Sequence, residues 1–348
     1  MRAAIVTPGK TRSLHVADVP APVRKPDEAL VRVLAVGIDG TDRDIDAGLY
    51  GEAPPGSDFL IDGHESLGEV VEGPGKGDLV VATVRRPCPE RCVACSTGTV
   101  DFCRSGNYEE RGIRRRHGYL AEFYAESPEY LIKVPKELRK IAVLSEPMSV
   151  VQKAFRQIYR IQERLRWQPK RLLITGAGGI GTLAACVGRL KGLDVVTYSR
   201  GPSSGADHGI RGTLGVTYVS SDNRPLKDVG LFDMVIEATG FSPLAWQAAE
   251  VLDINGILCM LSVTGGKKHI DIASDFLNDK FVLGNRLMFG SVNAAKEDFA
   301  QGLRDFAELE RRWPGMMDRF ITRRLPLEKI RTGLDERPPD DLKTIIEL

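Results

Sequence analysis

Residues 171–192, RLLITGAGGIGTLAACVGRLKG, constrain the fold more than any other stretch of the chain. A short apolar run, RLLIT, leads into Gly176, Gly178 and Gly181 at G-x-G-x-x-G spacing. TLAACVGRL follows with apolar residues at helical period. Strand, glycine turn and helix in this order are the parts of a dinucleotide-binding unit. The glycines permit a tight turn, close approach of backbone to a pyrophosphate, and close packing of helix on strand. The free N–H groups of the helix N-terminus then face the phosphates. Gly176, Gly178, Gly179, Ile180 and Gly181 are the expected phosphate loop. The plainer alternative is a glycine-rich turn in some other α/β protein.

The next apolar run, LDVVTYSR, ends in Tyr198-Ser199-Arg200. An acidic residue there would bind the ribose diol of NAD. Arg200 suits a 2′-phosphate instead, and the hydroxyls of Ser199, Ser203 and Ser204 can add hydrogen bonds. The expected cofactor is therefore NADP, with NAD also open; a solvated arginine at a strand end is the alternative. GVTYVSS, FDMVIEATG, GILCMLSV and RLMFGSVN continue the strand pattern. Helix-like stretches between some of them predict a Rossmann-type, doubly wound parallel sheet over residues 151–293.

A chain of 348 residues is too long for one ordinary core, so a second domain is expected. The first 145 residues read differently from the nucleotide half. EALVRVLAVGI, GEVVEG and GDLVVATVRR are strand-like and separated by Gly, Pro and Asp clusters, which predicts a mostly antiparallel, barrel-like β domain. LKTIIEL at the end of the chain reads as a strand that returns to this domain. A net charge of +1 gives no overall field for nucleic acid or membrane. Arg114, Arg115 and Arg116, in RGIRRRHG, are accordingly read as a solvated, mobile loop. The start, MRAAIVTPGK, lacks the apolar core of a secretion signal, which predicts a cytoplasmic protein with reduced thiols.

In that setting the run CPERCVACSTGTVDFC is a metal signal. Cys88, Cys92, Cys95 and Cys103 can close a tetrahedral shell on Zn²⁺, and a closed shell makes the metal structural. Free thiols in a surface loop are the alternative. Cys186 and Cys259 lie in apolar surroundings and read as core.

A second constellation is polar: GIDGTDRDI, DGHESLGEV and LSEPMSV. Asp39, His64, Glu65 and Glu146, one histidine and three carboxylates, could make an open, four-coordinate site with water or substrate as a ligand. Each also has a plain reading. Asp39 could cap a turn, His64 could be a satisfied core histidine, and Glu146 could cap the helix that follows.

These features together resemble the zinc-containing medium-chain dehydrogenases over essentially the whole chain. GHE at 63–65, the four-cysteine lobe at 88–103 and GAGGIG at 176–181 carry the resemblance. Within that group the chain is most similar to the archaeal-type glucose 1-dehydrogenases, through DGTDRDI at 39–45, GDLVVATVRRPC at 77–88, SEPMSVVQKA at 145–154 and FGSVN at 289–293. The resemblance implies a GroES-like β-barrel catalytic domain, residues 1–150 and 294–348, with a zinc lobe at 88–103. Residues 151–293 would be the NADP-binding domain.

It also implies that Asp39, His64, Glu65 and Glu146 hold a catalytic zinc, with Asp39 where most relatives have cysteine. Thr41, Glu110, Glu146 and Asn293 would contact the sugar, Glu110 and Asn293 from opposite sides of a cleft. Leu261, Ser262, Val263, Ser291, Val292 and Asn293 would join Ser199 and Arg200 at the cofactor. Val84 stands where some relatives carry a sugar-binding asparagine. The activity implied is oxidation of an aldose at C1 to the lactone by a homo-dimer or homo-tetramer. A zinc alcohol or polyol dehydrogenase, a zinc-free quinone reductase and a non-catalytic NADP-binding protein are the competing readings.

Overall fold

A computed structural model gives the fold and describes residues 1–203, 205–265 and 267–348. The chain divides into two units. One comprises Met1–Ser149, Asn293–Ala307 and Ile321–Leu348, the other Val150–Val292 and Glu308–Phe320. Besides Val150, which falls in the second unit, two segments differ from the expected boundaries. Asn293 goes with the first unit, where its side chain bonds to Glu110. Residues 308–320 go with the second, where the turn Met317–Arg319 packs on helix Gly205–Leu214.

Strand Ala29–Ile38 is central to the first unit. One edge pairs antiparallel with Glu65–Glu72. The other is shared: Phe123–Glu126 pairs with its first half and the C-terminal strand Thr344–Glu347 with its second. Leu79–Ala82 and Leu131–Lys133 extend one side of the sheet, and Arg323–Pro326 the other. The expected return of LKTIIEL is thus a ladder on the central strand. Burial alternates along Ala29–Leu34 and then becomes continuous from Ala35 to Ile38. The strand is covered on both faces at that end, and the polar constellation gathers there.

The expected strand GDLVVATVRR is two strands. Leu79–Ala82 stays in the main sheet, while Arg85–Arg86 joins Glu109–Arg111 and Arg115–Arg116 in a small separate one. At the break, the Thr83 carbonyl accepts from the Tyr119 hydroxyl at 2.9 Å and from Arg86 Nη1 at 2.9 Å. The arginine run is not a solvated loop. Arg114 and Arg115 both pair with Glu52, at 2.9 and 2.6 Å, and Arg116 pairs with Glu109 at 3.1 Å. Glu109 is close by in the sequence, but Glu52, which pairs with two of the three arginines, comes from a distant segment that the local sequence does not show.

In the second unit six strands pair in parallel. Their order is Thr217–Ser220, Asp194–Ser199, Arg171–Thr175, Phe232–Glu237, Leu252–Met260 and Leu287–Gly290. The order runs outward both ways from Arg171–Thr175, so the switch point lies between that strand and Phe232–Glu237. Leu173, Val196, Phe232, Val235, Leu252 and Leu258 fill the core on one face. Among the described residues no helix is long and apolar enough to cross a membrane.

Candidate active site and metal centres

Register explains how distant residues meet. Glu65 stands opposite Gly37 on one side of the central strand, and Thr344 stands opposite Ile38 on the other. Asp39 follows directly as the N-cap of helix Gly40–Asp46. His64 precedes Glu65, and Lys343 precedes Thr344. Three neighbouring strand ends therefore bring four polar side chains, Asp39, His64, Glu65 and Lys343, to one place.

Asp39 caps the helix and also faces His64. Its Oδ1 accepts from the N–H groups of Thr41 at 2.7 Å and Asp42 at 3.3 Å, while Oδ2 lies 3.7 Å from His64 Nε2. The cap reading of Asp39 and the ligand reading are therefore compatible. Asp42 closes the capping box, accepting from the Asp39 N–H at 2.7 Å. Its other oxygen lies 3.5 Å from His64 Nδ1, close but outside hydrogen-bond geometry. Asp39, His64 and Glu65 each offer a ligand atom within 4.8 Å of the others. Glu146, at the start of helix Ser145–Gln162, is not in this trio, although it feels its charges.

The electrostatics are those of a cation site. Burial opposes ionisation of Asp39, but His64, Lys343 and the Thr41 N–H together outweigh it and hold the carboxyl below its usual range. Burial likewise opposes the His64 cation, which Asp39 and Asp42 favour more strongly, so its pKa is raised. Burial pushes Glu146 up to about 8 against His64, and the like charges of Glu65 and Asp39 add to the rise. The carboxyl groups of Asp39, Asp42, Asp62, Glu65 and Glu146 stand around one imidazole, and Glu65 has a lysine beside it, Lys343 at 2.5 Å. Surplus negative charge, with oxygen donors and one nitrogen, fits a divalent ion such as Zn²⁺.

Thr41 Oγ1 donates to Asp39 Oδ2 at 3.3 Å. Glu110 and Asn293 are joined directly: Asn293 Nδ2 donates to Glu110 Oε1 at 3.0 Å. The two lie in one unit and do not face each other across a gap. Arg85 binds the same oxygen. Asp42, Lys343 and Arg85 are the polar partners that sequence reasoning missed. Only Asp42 left a local signal, three residues after an N-cap aspartate.

The four cysteines converge. All are free thiols, and their sulfurs lie within 4.8 Å of one another. Cys92 Sγ lies 3.8 Å from Cys103 Sγ. Tetrahedral Zn–S bonds of about 2.3 Å require a sulfur–sulfur edge of about 3.8 Å. Between Cys88 and Cys92 the chain makes a reverse turn, with Arg91 N–H donating to the Cys88 carbonyl at 3.0 Å. The backbone N–H groups of Cys95 and Arg104 lower the Cys92 thiol to about 6, and burial pushes Cys95 up to about 12. The donor set fits a closed structural zinc.

The nucleotide loop has the shape its glycines predict. A side chain at Gly176 would meet the Ala238 carbonyl at 2.6 Å, and one at Gly181 would meet the Gly176 carbonyl at 2.0 Å. Around Gly178 there is open space. It is the N-cap of helix Gly179–Leu190 and makes no side-chain cap hydrogen bond. A pyrophosphate fits there.

Arg200 follows strand Asp194–Ser199 and is exposed, its carbonyl accepting from Tyr218 Oη at 3.0 Å. The neighbouring strand brings Asp222 to the Gly201 N–H at 3.0 Å, a carboxylate not visible near Arg200 in the sequence. Ser203 pairs with His208 at 2.8 Å, and Ser204 lies outside the described residues. Leu261, Ser262 and Val263 follow strand Leu252–Met260, and Ser291 and Val292 follow Leu287–Gly290. Ser262 Oγ donates to buried Glu237, and Val292 accepts from Lys153 at 2.8 Å.

Comparison with known proteins agrees with this geometry. Residues 25–136 match the alcohol dehydrogenase GroES-like domain, and residues 139–348 match the glucose dehydrogenase C-terminus. Glucose 1-dehydrogenase of Methanocella arvoryzae is 44% identical over 100% of this chain and 99% of its own. That of Thermoproteus tenax is 40% identical at the same coverage. Glucose dehydrogenase of Haloferax mediterranei, in complex with NADP, Zn and gluconolactone, superposes with a TM-score of 0.92 at 31% identity. The match covers 100% of this chain and 99% of that one. The chain belongs to the glucose 1-dehydrogenase family of zinc-containing medium-chain dehydrogenases.

Proposed function

We propose that the chain oxidises glucose, or a similar aldose, at C1 to the aldono-1,5-lactone, with zinc and NADP. The observation that carries this is the trio Asp39, His64 and Glu65, with donor atoms within 4.8 Å, in a chain of this family. Asp39, His64, Glu65 and Glu146 would hold the catalytic zinc, and Cys88, Cys92, Cys95 and Cys103 the structural one. When bound, the metal and cofactor supply Lewis acidity toward the C1 hydroxyl and a hydride acceptor.

The chain's own residues bind, orient and move protons. Asp42, 3.5 Å from Nδ1, would orient the His64 ring. Thr41 Oγ1, hydrogen-bonded to Asp39, is our candidate to receive and pass on the C1 hydroxyl proton. Glu110 and Asn293 hold other sugar hydroxyls, which positions C1. Gly176–Gly181 cradle the pyrophosphate, Arg200 and Ser199 read the 2′-phosphate, and Leu261–Val263 with Ser291–Asn293 line the nicotinamide end. Four thiols in one zinc lobe support a reducing compartment, the cytoplasm. For a homo-dimer or homo-tetramer, exposed Val282 and Leu283 and the edge strand Leu287–Gly290 offer a surface.

The test is initial rates on zinc-replete protein with aldoses and polyols, using NADP⁺ and NAD⁺, in wild type and His64→Ala. Expected are aldose oxidation with NADP⁺, and a variant that loses turnover and one zinc per chain but keeps its fold and cofactor binding. Polyol oxidation without aldose oxidation, or full turnover by His64→Ala in metal-free buffer, would overturn the reading.

A further inference from the structure

Glu110 is buried, 4% exposed, and its two carboxylate oxygens are treated unequally. Arg85 Nε donates to Oε1 at 3.0 Å, and Arg85 Nη2 lies 2.9 Å from the same atom. Asn293 Nδ2 adds a third donor at 3.0 Å. Among the described residues no hydrogen bond reaches Oε2. One oxygen is saturated, and the other is left to accept.

Arg85 is itself locked. It is 5% exposed, and its guanidinium carbon lies 3.7 Å from the Tyr108 ring centre. Its Nη1 donates to the Asp101 carbonyl at 3.2 Å. Backbone pairing sets Arg85 directly opposite Glu110 between two short strands. The arginine therefore has little freedom, and the orientation it imposes on the carboxylate is fixed by the sheet.

We propose that Arg85 is a positioning residue for the sugar: with Asn293 it occupies Oε1 of Glu110, so that the sugar meets a single, directed acceptor, Oε2. This rests on the reading that Glu110 binds substrate. A carboxylate free to turn could take two neighbouring hydroxyls on its two oxygens in several ways. A carboxylate held by one edge accepts along one direction, and a hydroxyl of inverted configuration misses it. Arg85 thus sets selectivity between epimeric aldoses without touching them.

The experiment uses the zinc-replete, full-length enzyme and compares Arg85→Met, Arg85→Lys, Glu110→Gln and the double variant Arg85→Met/Glu110→Gln. Measured are KM and kcat for glucose and its C2, C3 and C4 epimers, KM for NADP⁺, bound zinc, melting temperature, and calorimetric affinity for gluconolactone. Arg85→Met is expected to raise KM for the preferred aldose and weaken gluconolactone by about tenfold to a hundredfold, as for loss of a charge-assisted hydrogen bond. Epimer discrimination narrows, while KM for NADP⁺ and zinc content hold. Arg85→Lys keeps a charge and a donor and recovers part of the loss, which also serves if Arg85→Met fails to fold.

The double variant is expected to bind sugar no worse than Glu110→Gln, because Arg85 acts only through Glu110. Unchanged sugar affinity and epimer ratios in folded Arg85 variants, with Glu110→Gln impaired, would overturn the role of Arg85. Unchanged affinity in Glu110→Gln would instead overturn the reading beneath it, and the proposal with it. A loss in the double variant that exceeds Glu110→Gln by the full Arg85→Met effect would show that Arg85 acts elsewhere, and would also overturn it.

Discussion

Lys343 sets its ammonium 2.5 Å from the Glu65 carboxylate, 278 positions away in the chain, and both groups are buried. Glu65 therefore has a fixed counter-charge of its own, whereas Asp39 looks mainly to His64. The pair also ties the C-terminal strand to the strand that carries Glu65, through the central strand between them.

Removing one partner of such a pair leaves the other charged and uncompensated. Lys343→Met is expected to destabilise the protein by about 3–5 kcal/mol. Adding Glu65→Gln removes the stranded charge and should recover much of that loss. Urea unfolding of the two variants tests this, and wild-type stability in Lys343→Met would contradict it.

Glu126 gives a pH dependence away from the metal sites. Burial would raise its pKa, but Arg111, Arg86 and Arg116 together hold it at about 2. Arg86 Nη2 lies 2.5 Å and Arg111 Nη2 2.8 Å from Oε2. The folded value lies below the ordinary glutamate value, so the stabilisation is fully present above about pH 4.5 and fades as pH falls toward 2. The shift corresponds to about 3 kcal/mol. Glu126→Gln should thus lag wild type by about that amount at pH 7, with the gap closing below pH 4. A gap that does not change with pH would contradict the assignment.

The cysteine lobe is expected to stabilise and not to catalyse. Cys95→Ser removes a buried thiolate from a closed shell whose metal affinity is coupled to local folding. The variant should lose one zinc per chain and melt at a lower temperature. Metal analysis with calorimetry decides it, and retention of both zinc and stability would remove the structural site.

The cofactor preference should follow Arg200. A charge-assisted bond to the 2′-phosphate is worth roughly 1.5–3 kcal/mol, so Arg200→Ala should weaken NADP⁺ about tenfold to a hundredfold and barely alter NAD⁺. Ser199→Asp should go further, adding repulsion against NADP⁺ and an acceptor for the NAD⁺ ribose. Asp222, bonded to the Gly201 N–H, already stands near and makes the loop sensitive to a second negative charge. kcat/KM for both cofactors is the measurement, and equal weakening of both by Arg200→Ala would refute the assignment.

Short-range patterns wrote much of this protein plainly. RLLITGAGGIG could be read because the steric demands of a glycine turn are local: Gly176 and Gly181 each face a carbonyl too close for any side chain. The four cysteines could be read because a thiolate shell closes within one short loop. Asp39 and His64 were legible as ligand types from the residues alone, and it took the family resemblance to place them in one site. What only the tertiary structure decided is which distant charges share a strand end. Lys343 beside Glu65 and Arg85 beside Glu110 arise from register between strands apart in sequence, and Glu52 under Arg114 and Arg115 from an isolated bridge between distant segments. Local sequence fixes backbone geometry and side-chain chemistry. Register depends on how every strand in the sheet buries its apolar face at once, so the partner of a buried charge is settled only when the whole sheet forms.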